Sequence, residues 1–463
     1  MNRKALVWGG AVAIAAGVAY LACGGGTSIT PPPCLSCLPD SGHGAGFDAG
    51  LDAGRDAGTG AGLDAGQDAG TGAGADGGMD AGPPVPPWPD VPVMNYSDTF
   101  HIGYAQSVGI DDAYNLWLLN GDQIGVLRPG DAKPTWTSGV GQAGNSYLAN
   151  GSTVICGGSE GHAYVGYSTS DGPNYHTSPS DPEYQQGDMD LVEVGEGGVV
   201  SLTTHLGKTD DGITSGLYTH LGIRNSNSWM YDEDRSVWSC FKATSGPRKG
   251  DVFIGTNHGV VMIQGDKYNS HIHPFWTNAN GTQMFGYTYG VSVAPDGDVL
   301  IANAWMVAVA QIDGVLAHFS RMPDYTQFRI AEWLPDVAVP PDFGNYRAIA
   351  QTLDGRYWVG GDHGLWEPLW RARPGDPLRI DSFGDRRVNE IGSSVSSLAA
   401  TDDGSLFIGT NGAGLYRRLP DDTYERISEV KASTVGQLVY DDSGSPSMLL
   451  VLTNDGLYVL RGH

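Results

Sequence analysis

Residues 94–463 carry chemically versatile side chains at places where short strands would begin or end. His258 and His363 each follow an apolar run that ends in Gly, whereas Tyr289, Tyr346 and Arg347 each stand at the start of such a run. A further cluster of the same kind consists of Asp232, Glu233, Asp234 and Arg235. Gathered on one loop face, these groups could recognise a polar ligand or a protein partner. The alternative is that the Asp and His side chains only satisfy the backbone of turns.

The elements that must position these residues are repeated. Each repeat has a Gly-containing turn, then a β-branched and aromatic run, then a second Gly-containing turn into another apolar run, as in residues 249–260, 354–366 and 403–416. The first turn is Asp-Gly in the last two of these and Lys-Gly in the first. Asp-Gly favours a tight hairpin turn, and the runs favour strands. Equivalent residues lie 47, 58, 49 and 43 positions apart, at Ile254, Ile301, Val359, Ile408 and Val451. Such a period with several strands per unit predicts a β-propeller.

These runs resemble the β-propeller repeats of two-component regulators, which read Asp-Gly, then an aromatic residue with Ile-Gly-Thr, then Gly-Leu. Counting the strands before and after each motif gives seven blades, so we predict an all-β, seven-bladed β-propeller over residues 93–463. An eighth blade around residues 195–223 is an alternative that the sequence leaves open, although residues 191–202 fit the two outer strands of the second blade. The last blade ends one strand short, so we expect strand 94–102 to complete it and close the ring. Proteins with these repeats include sensory parts of signalling systems, and a partner protein would then be needed.

The first 22 residues have the pattern of an export signal. Arg3 and Lys4 precede an apolar run over residues 5–22, which ends at Cys23. This resembles a bacterial lipoprotein signal peptide, spanning residues 1–22, and the resemblance implies lipid attachment at Cys23. Tyr20 departs from the usual Leu of that pattern, and an uncleaved anchor helix is the alternative. We therefore expect a protein of the cell envelope, exported from the cytoplasm and held at the outer membrane or cell surface by the lipid anchor.

Residues 23–92 are rich in Asp, Ala, Gly and Pro and contain almost no large apolar side chains. This composition predicts a disordered tether. Cys34 and Cys37 lie within it, and a local disulfide is their expected state in an oxidising compartment. Cys156 and Cys240 lie in apolar runs and are interpreted as buried thiols, with a disulfide between them left open.

The formal net charge of −26, from 52 acidic and 26 basic residues, argues against nucleic acid as a partner. The sequence offers little evidence for catalysis, because residues 94–463 contain no Gly-x-Ser-x-Gly elbow and no Asp-x-Asp-x-Asp-Gly calcium loop. No metal, cofactor or catalytic residue is assigned. We therefore predict a non-catalytic, monomeric propeller that binds a ligand or protein on its loop face. The alternative is a lactonase-like, calcium-dependent hydrolase or lyase using oxygen ligands in the central channel, such as Asp232, Glu233, Asp234, Asn257, Asn303 and Asn345.

Overall fold

Seven antiparallel sheets follow one another along the chain and form the blades of a β-propeller. The computed structural model describes residues 93–141, 152–168, 189–206, 236–256, 259–272, 276–277, 283–284, 287–304, 307–312, 328–332, 344–371, 379–382, 387–444 and 446–461. Cys23, Cys34 and Cys37 therefore lie outside the described residues, as do the predicted signal peptide and nearly all of the tether. No helix among the residues described is both long and apolar enough to cross a membrane.

The first four blades each contain four strands, numbered here from the channel outward. Blade 1 consists of β2 (Ser107–Ile110), β3 (Leu116–Asn120), β4 (Gln123–Leu127) and β5 (Thr135–Ser138). Blade 2 consists of β6 (Ser152–Gly157), β7 (His162–Tyr167), β8 (Met189–Val194) and β9 (Val200–Leu206). Blade 3 consists of β10 (Ser239–Lys242), β11 (Val252–Gly255), β12 (Val260–Gln264) and β13 (Lys267–Ile272). Blade 4 consists of β16 (Thr288–Val293), β17 (Val299–Asn303), β18 (Val307–Ile312) and β19 (Phe328–Glu332), after a small hairpin of β14 (Trp276–Thr277) and β15 (Gln283–Met284).

The last three blades complete the ring. Blade 5 consists of β20 (Tyr346–Gln351), β21 (Tyr357–Gly361) and β22 (Gly364–Trp366), continued past Pro368 by the pair β23 (Leu369–Arg371) and β24 (Arg379–Ser382). Blade 6 consists of β25 (Ser394–Ala400), β26 (Leu406–Asn411), β27 (Leu415–Arg418) and β28 (Tyr424–Arg426). Blade 7 consists of β29 (Val435–Asp441), β30 (Met448–Thr453), β31 (Gly456–Arg461) and, as its outer strand, β1 (Val93–Asn95). Two 3₁₀ helices, Glu196–Gly198 and Gly246–Arg248, lie in connections.

The seven-bladed prediction is confirmed, and residues 191–202 contribute to the two outer strands of blade 2 as expected. The closing strand is shorter than predicted. Only Val93–Asn95 pairs with β31, and Tyr96–Phe100 forms helix α1 where strand 94–102 was expected. The reason is local, because the Asn95 side chain accepts a hydrogen bond from Asp98 N at 3.1 Å and caps the helix.

Cys156 and Cys240 form a disulfide, so the interpretation as two buried thiols is wrong. They lie on β6 and β10, the inner strands of consecutive blades, with Cα atoms 6.0 Å apart. The bond therefore joins blades 2 and 3 across 84 residues of sequence.

Hydrogen bonds from side chains link each of several inner strands to the next. Thr153 Oγ1 donates to Val237 O at 2.7 Å, and Ser292 Oγ donates to Ile349 O at 2.7 Å. At the closure, the Gln437 amide accepts from Val108 N at 3.0 Å and donates to Val108 O at 3.1 Å. Blade 7 is thus bonded to blade 1 at the channel as well as through the outer strand.

A glycine of the repeat lies at the seam between blades. Gly166, Gly255, Gly360 and Gly409 occupy the same position on the second strands of blades 2, 3, 5 and 6. Each faces a residue at or within two positions of the start of the next inner strand. A Cβ atom at Gly409 would lie 2.8 Å from Cγ1 of Val435, and one at Gly166 would lie 2.7 Å from Cγ1 of Val237. Neighbouring blades can approach this closely because these positions have no side chain.

Gly409→Ala is expected to lower the free energy of unfolding by about 1–3 kcal/mol, because the added methyl group overpacks the seam against Val435. The measurement is urea unfolding followed by circular dichroism. Gly392→Ala is the matched control, since a Cβ atom there meets no atom within 4 Å. Equal unfolding midpoints for the two variants would show that the seam tolerates a side chain.

Candidate functional site

The inner strands share an irregularity at the end where each begins. The pairing register skips one residue of the inner strand in blades 2, 4, 5, 6 and 7, which is a β-bulge. The skipped residues are Thr153, Tyr289, Arg347, Ser396 and Gly436. Trp238 in blade 3 and Gln106 in blade 1 hold the same place, because their amides donate to the carbonyls of Gly255 and Leu119. A bulge re-aims a side chain, so these seven positions form a ring at the mouth of the channel, the mouth ring.

The mouth ring is asymmetric. Blades 2, 6 and 7 place Thr, Ser and Gly on it, and Gln106 of blade 1 donates to Ser152 O at 2.7 Å. The three consecutive blades 3, 4 and 5 instead place Trp238, Tyr289 and Arg347 there. Large planar groups are therefore concentrated on one side of the mouth.

These planar groups contact one another and form what we call the mouth cluster, consisting of Trp238, Tyr287, Tyr289, Asn345, Arg347 and Asp362. The ring centroids of Trp238 and Tyr287 lie 5.3 Å apart, and those of Trp238 and Tyr289 lie 6.4 Å apart, both edge to face. The Arg347 guanidinium lies 4.4 Å above the Tyr289 ring, a favourable cation–π contact. Trp238 remains 38% exposed, which is unusual for so large an apolar side chain.

Asp362 holds the arginine of the mouth cluster. It lies in the turn between β21 and β22, and its Oδ1 accepts from Arg347 Nε at 3.0 Å. Its Oδ2 accepts from both the backbone N and the side-chain Nδ2 of Asn345, each at 3.0 Å. Blade 5 thus orients the guanidinium from a hairpin beside the inner strand.

The charge state of Asp362 follows from these contacts. Burial disfavours its charged form, but the hydrogen bonds from Asn345 and the ion pair with Arg347 outweigh burial and lower the pKa of Asp362 below 3.8. A carboxylate that is ionised and already accepts three hydrogen bonds is poorly suited to act as a general acid or base near neutral pH. The mouth cluster is therefore better suited to contact a ligand than to transfer protons.

The residues that the sequence analysis predicted as binding candidates lie in different parts of the structure. Tyr289 and Arg347 lie together in the mouth cluster, and His363 is exposed in the same turn as Asp362. Tyr346 is 2% exposed, so its ring belongs to the core with Tyr357 and Trp366 and not to the loop face. Five further candidates lie outside the described residues: Asp232, Glu233, Asp234, Arg235 and His258.

Trp238 and Asp362 are functional candidates that the sequence analysis did not identify. Trp238 stands one residue before β10, as Tyr289 and Arg347 stand near the starts of β16 and β20, so an alignment of inner strands could have found it. Asp362 immediately precedes His363 in the repeat hairpin. Its role depends on the contact between this hairpin and Asn345 and Arg347 at the start of the inner strand β20, which the sequence does not reveal.

The calcium-dependent alternative gains no support from the described part of the chain. No group of three His, Cys, Asp or Glu residues lies close enough there to hold a metal ion. Asn303 is 1% exposed, and Asn345 is bonded to Asp362. The other oxygen ligands considered, Asp232, Glu233, Asp234 and Asn257, lie outside the described residues.

At the opposite face, where the Asp-Gly turns lie, the connection formed by residues 242–251 of blade 3, from the end of β10 to the start of β11, contacts other blades. Lys242 Nζ contacts Asp112 Oδ1 of blade 1 at 2.6 Å, and Thr244 Oγ1 donates to Asp442 Oδ1 of blade 7 at 2.6 Å. Arg248 Nε donates to Gly297 O of blade 4 at 3.4 Å. This connection reaches three other blades at the turn face, so the mouth cluster lies at the face that it does not span.

No protein family model and no curated protein matches the chain. Solved structures do match it. They include virginiamycin B lyase from Staphylococcus aureus, at 10% identity and TM-score 0.44, over 81% of this chain and 99% of that one. YCF48 from Cyanidioschyzon merolae matches at 12% identity and TM-score 0.47, over 80% and 98% of the two chains. The extracellular domain of BT3049 from B. thetaiotaomicron, described as a hybrid two-component system, matches at 13% identity and TM-score 0.46, over 77% of this chain and 40% of that one. At such identities the likeness concerns the fold alone.

Asp362→Asn is expected to disorder the aromatic rings at pH 7, because a neutral amide cannot hold the Arg347 guanidinium over Tyr289. The measurement is near-ultraviolet circular dichroism, with the far-ultraviolet signal as a check on folding. Since the pKa of Asp362 is lowered, the ion pair of the unmodified protein should persist as the pH falls through the range where an ordinary Asp carboxyl is protonated, and be lost only below that range. Identical near-ultraviolet spectra of the two proteins at pH 7 would contradict this role of Asp362.

Proposed function

We propose that the protein is a non-catalytic, lipid-anchored β-propeller of the cell envelope that binds a protein partner or a polar ligand through the mouth cluster. The observation that carries the proposal is the concentration of Trp238, Tyr289 and Arg347 at one bulged position in three consecutive blades. Tryptophan, tyrosine and arginine are the residue types that dominate binding energy at interfaces. Their partial exposure at a channel mouth gives a bound group access to them.

Two features support binding over catalysis. The carboxylate within the cluster, Asp362, accepts three hydrogen bonds and has a lowered pKa. Arg347 is charge-compensated by the same carboxylate, so the cluster offers aromatic surface and oriented polar groups without a strong net charge of its own. A binding surface needs this combination, whereas hydrolysis also needs an activated nucleophile or metal.

Replacing Trp238 with the photoreactive residue p-benzoylphenylalanine is expected to give specific covalent adducts on illuminated intact cells. The matched control is the same replacement of Leu353, which is 58% exposed on the turn of blade 5 at the opposite face. Mass spectrometry of the adducts distinguishes a small ligand from a protein. Adding Arg347→Ala to the Trp238 variant should reduce the adduct yield at least about fivefold, which corresponds to a loss of about 1 kcal/mol.

Two outcomes of these experiments would contradict the proposal. The same adducts from positions 238 and 353 would show that the mouth cluster is not a distinct binding surface. Stoichiometric calcium in the purified protein, with a large fall in melting temperature on adding EDTA, would favour the channel-metal hydrolase or lyase instead.

The lipid anchor is tested separately. Cys23→Ala is expected to abolish labelling of the protein with radioactive palmitate, because the thiol that receives the lipid is absent. It should also release the protein from the membrane fraction, since the acyl chains supply the membrane affinity. A variant that stays in the membrane fraction would indicate an uncleaved anchor helix over residues 5–22.

A further inference from the structure

A ring of equivalent residues also marks the turn face, where each inner strand ends. In blade 1 this residue is Asp111, which is completely buried. Its Oδ2 accepts from Trp117 Nε1 at 2.9 Å, from Asn115 Nδ2 at 2.8 Å and from Gly161 N at 3.1 Å. Its Oδ1 accepts from two more backbone amides. Five donors therefore compensate this buried carboxylate.

Asp441 holds the same position in blade 7 without the same donors. It is 1% exposed, and its Oδ1 accepts from Ser443 N at 2.8 Å. No donor among the described residues reaches its Oδ2. The pairing registers explain the difference, because Leu450 occupies on β30 the place that Trp117 occupies on β3. The leucine side chain has no N–H group and is smaller than an indole. Blade 7 therefore keeps the carboxylate but lacks the indole that donates to it, and fills the adjoining space, in blade 1.

The surroundings of Asp441 are acidic and lie at the seam that closes the ring. Leu450 packs in the cluster shared by blades 7 and 1, and Gly444 of the same turn lies against Tyr114 of blade 1. Asp442 and Asp112 are on the two adjoining turns. The one described cation at these turns, Lys242, is bonded to Asp112 at 2.6 Å. No ion pair joins Asp441 to a basic side chain of the described residues.

We propose that Asp441 binds a monovalent cation, such as K⁺, Na⁺ or NH₄⁺, at the seam between blades 7 and 1. A buried carboxylate with one oxygen unpartnered is costly. A water molecule could donate a hydrogen bond but could not offset the charge, whereas a cation coordinates the oxygen and offsets its charge. A single carboxylate offsets the charge of a monovalent ion, and the described residues offer no group of three carboxylates such as a divalent ion would prefer. The net charge of −26 also raises the local concentration of cations.

The test is thermal unfolding of the full-length protein in chloride salts of K⁺, Na⁺, NH₄⁺ or N-methyl-D-glucamine at one ionic strength. The bulky N-methyl-D-glucamine ion cannot enter the seam, so it controls for screening. We expect at least one of the small cations to raise the melting temperature by roughly 1–3 °C relative to it. The arm with the largest rise identifies the ion. Equal melting temperatures in all four salts would overturn the proposal.

Asp441→Asn should remove the dependence on the small cations while keeping the shape of the side chain. The matched control is Asp402→Asn, an exposed carboxylate on the corresponding turn of blade 6, which should retain the dependence. Leu450→Trp offers a second variant, because the indole should donate to Asp441 as Trp117 does to Asp111 and displace the ion. A small-cation effect that persists in Asp441→Asn or in folded Leu450→Trp would place the ion elsewhere and overturn the assignment.

Discussion

Seven sheets can form a closed ring only if each lies against the next closely enough to exclude water from the seam. At four of the seven seams the approach depends on one contact, between a glycine on a second strand and a residue close to the start of the next inner strand. Val237, Thr288, Val395 and Val435 are the residues that lie over these glycines. The residue that follows each of them is the mouth-ring position: Trp238, Tyr289, Ser396 and Gly436. Seam packing thus fixes the place from which the mouth side chains project, so the candidate site is a consequence of how the blades fit together.

The seven blades place equivalent backbone positions around the ring, and the side chains at these positions differ from blade to blade. The mouth-ring residues of blades 2, 6 and 7 are small. That side of the channel therefore has hydrogen bonds between blades but no large side chain from the mouth ring. Blades 3, 4 and 5 use the same backbone position for rings and a guanidinium. The turn face follows the same rule, because Asp111 and Asp441 are equivalent but only Asp111 has an indole beside it. The candidate sites proposed above therefore rest on departures from the repeat and not on the repeat itself.

The sequence predicted the architecture well because strand periodicity and Asp-Gly turns are local signals. The length of the closing strand was overestimated, because the apolar and polar residues after Asn95 fit a strand pattern. The Asn95 cap instead makes this segment helical from Tyr96. The Cys156–Cys240 bond was left open because 84 residues separate the two positions. Only the placement of both on inner strands of consecutive blades brings them together.

Side-chain direction at the mouth was harder to predict than the fold. Tyr346 and Arg347 are neighbours at the start of one strand, and both were candidates for the loop face. The bulge at this point turns Arg347 to the mouth while Tyr346 enters the core. A bulge has no clear sequence signature, and so neither this division nor the equivalence of Trp238 with Tyr289 can be obtained from spacing alone.

The closing strand is also where the predicted tether joins the ring, and this has a mechanical consequence. Any tension on a membrane-anchored tether would reach the propeller first at Val93, which pairs with Leu460 in a strand of only three residue pairs. Beyond them, Tyr96 and Ile102 are buried in the core between blades 7 and 1 and would bear the load next. The element that closes the ring would therefore be the first to respond to force between the cell surface and whatever the propeller holds.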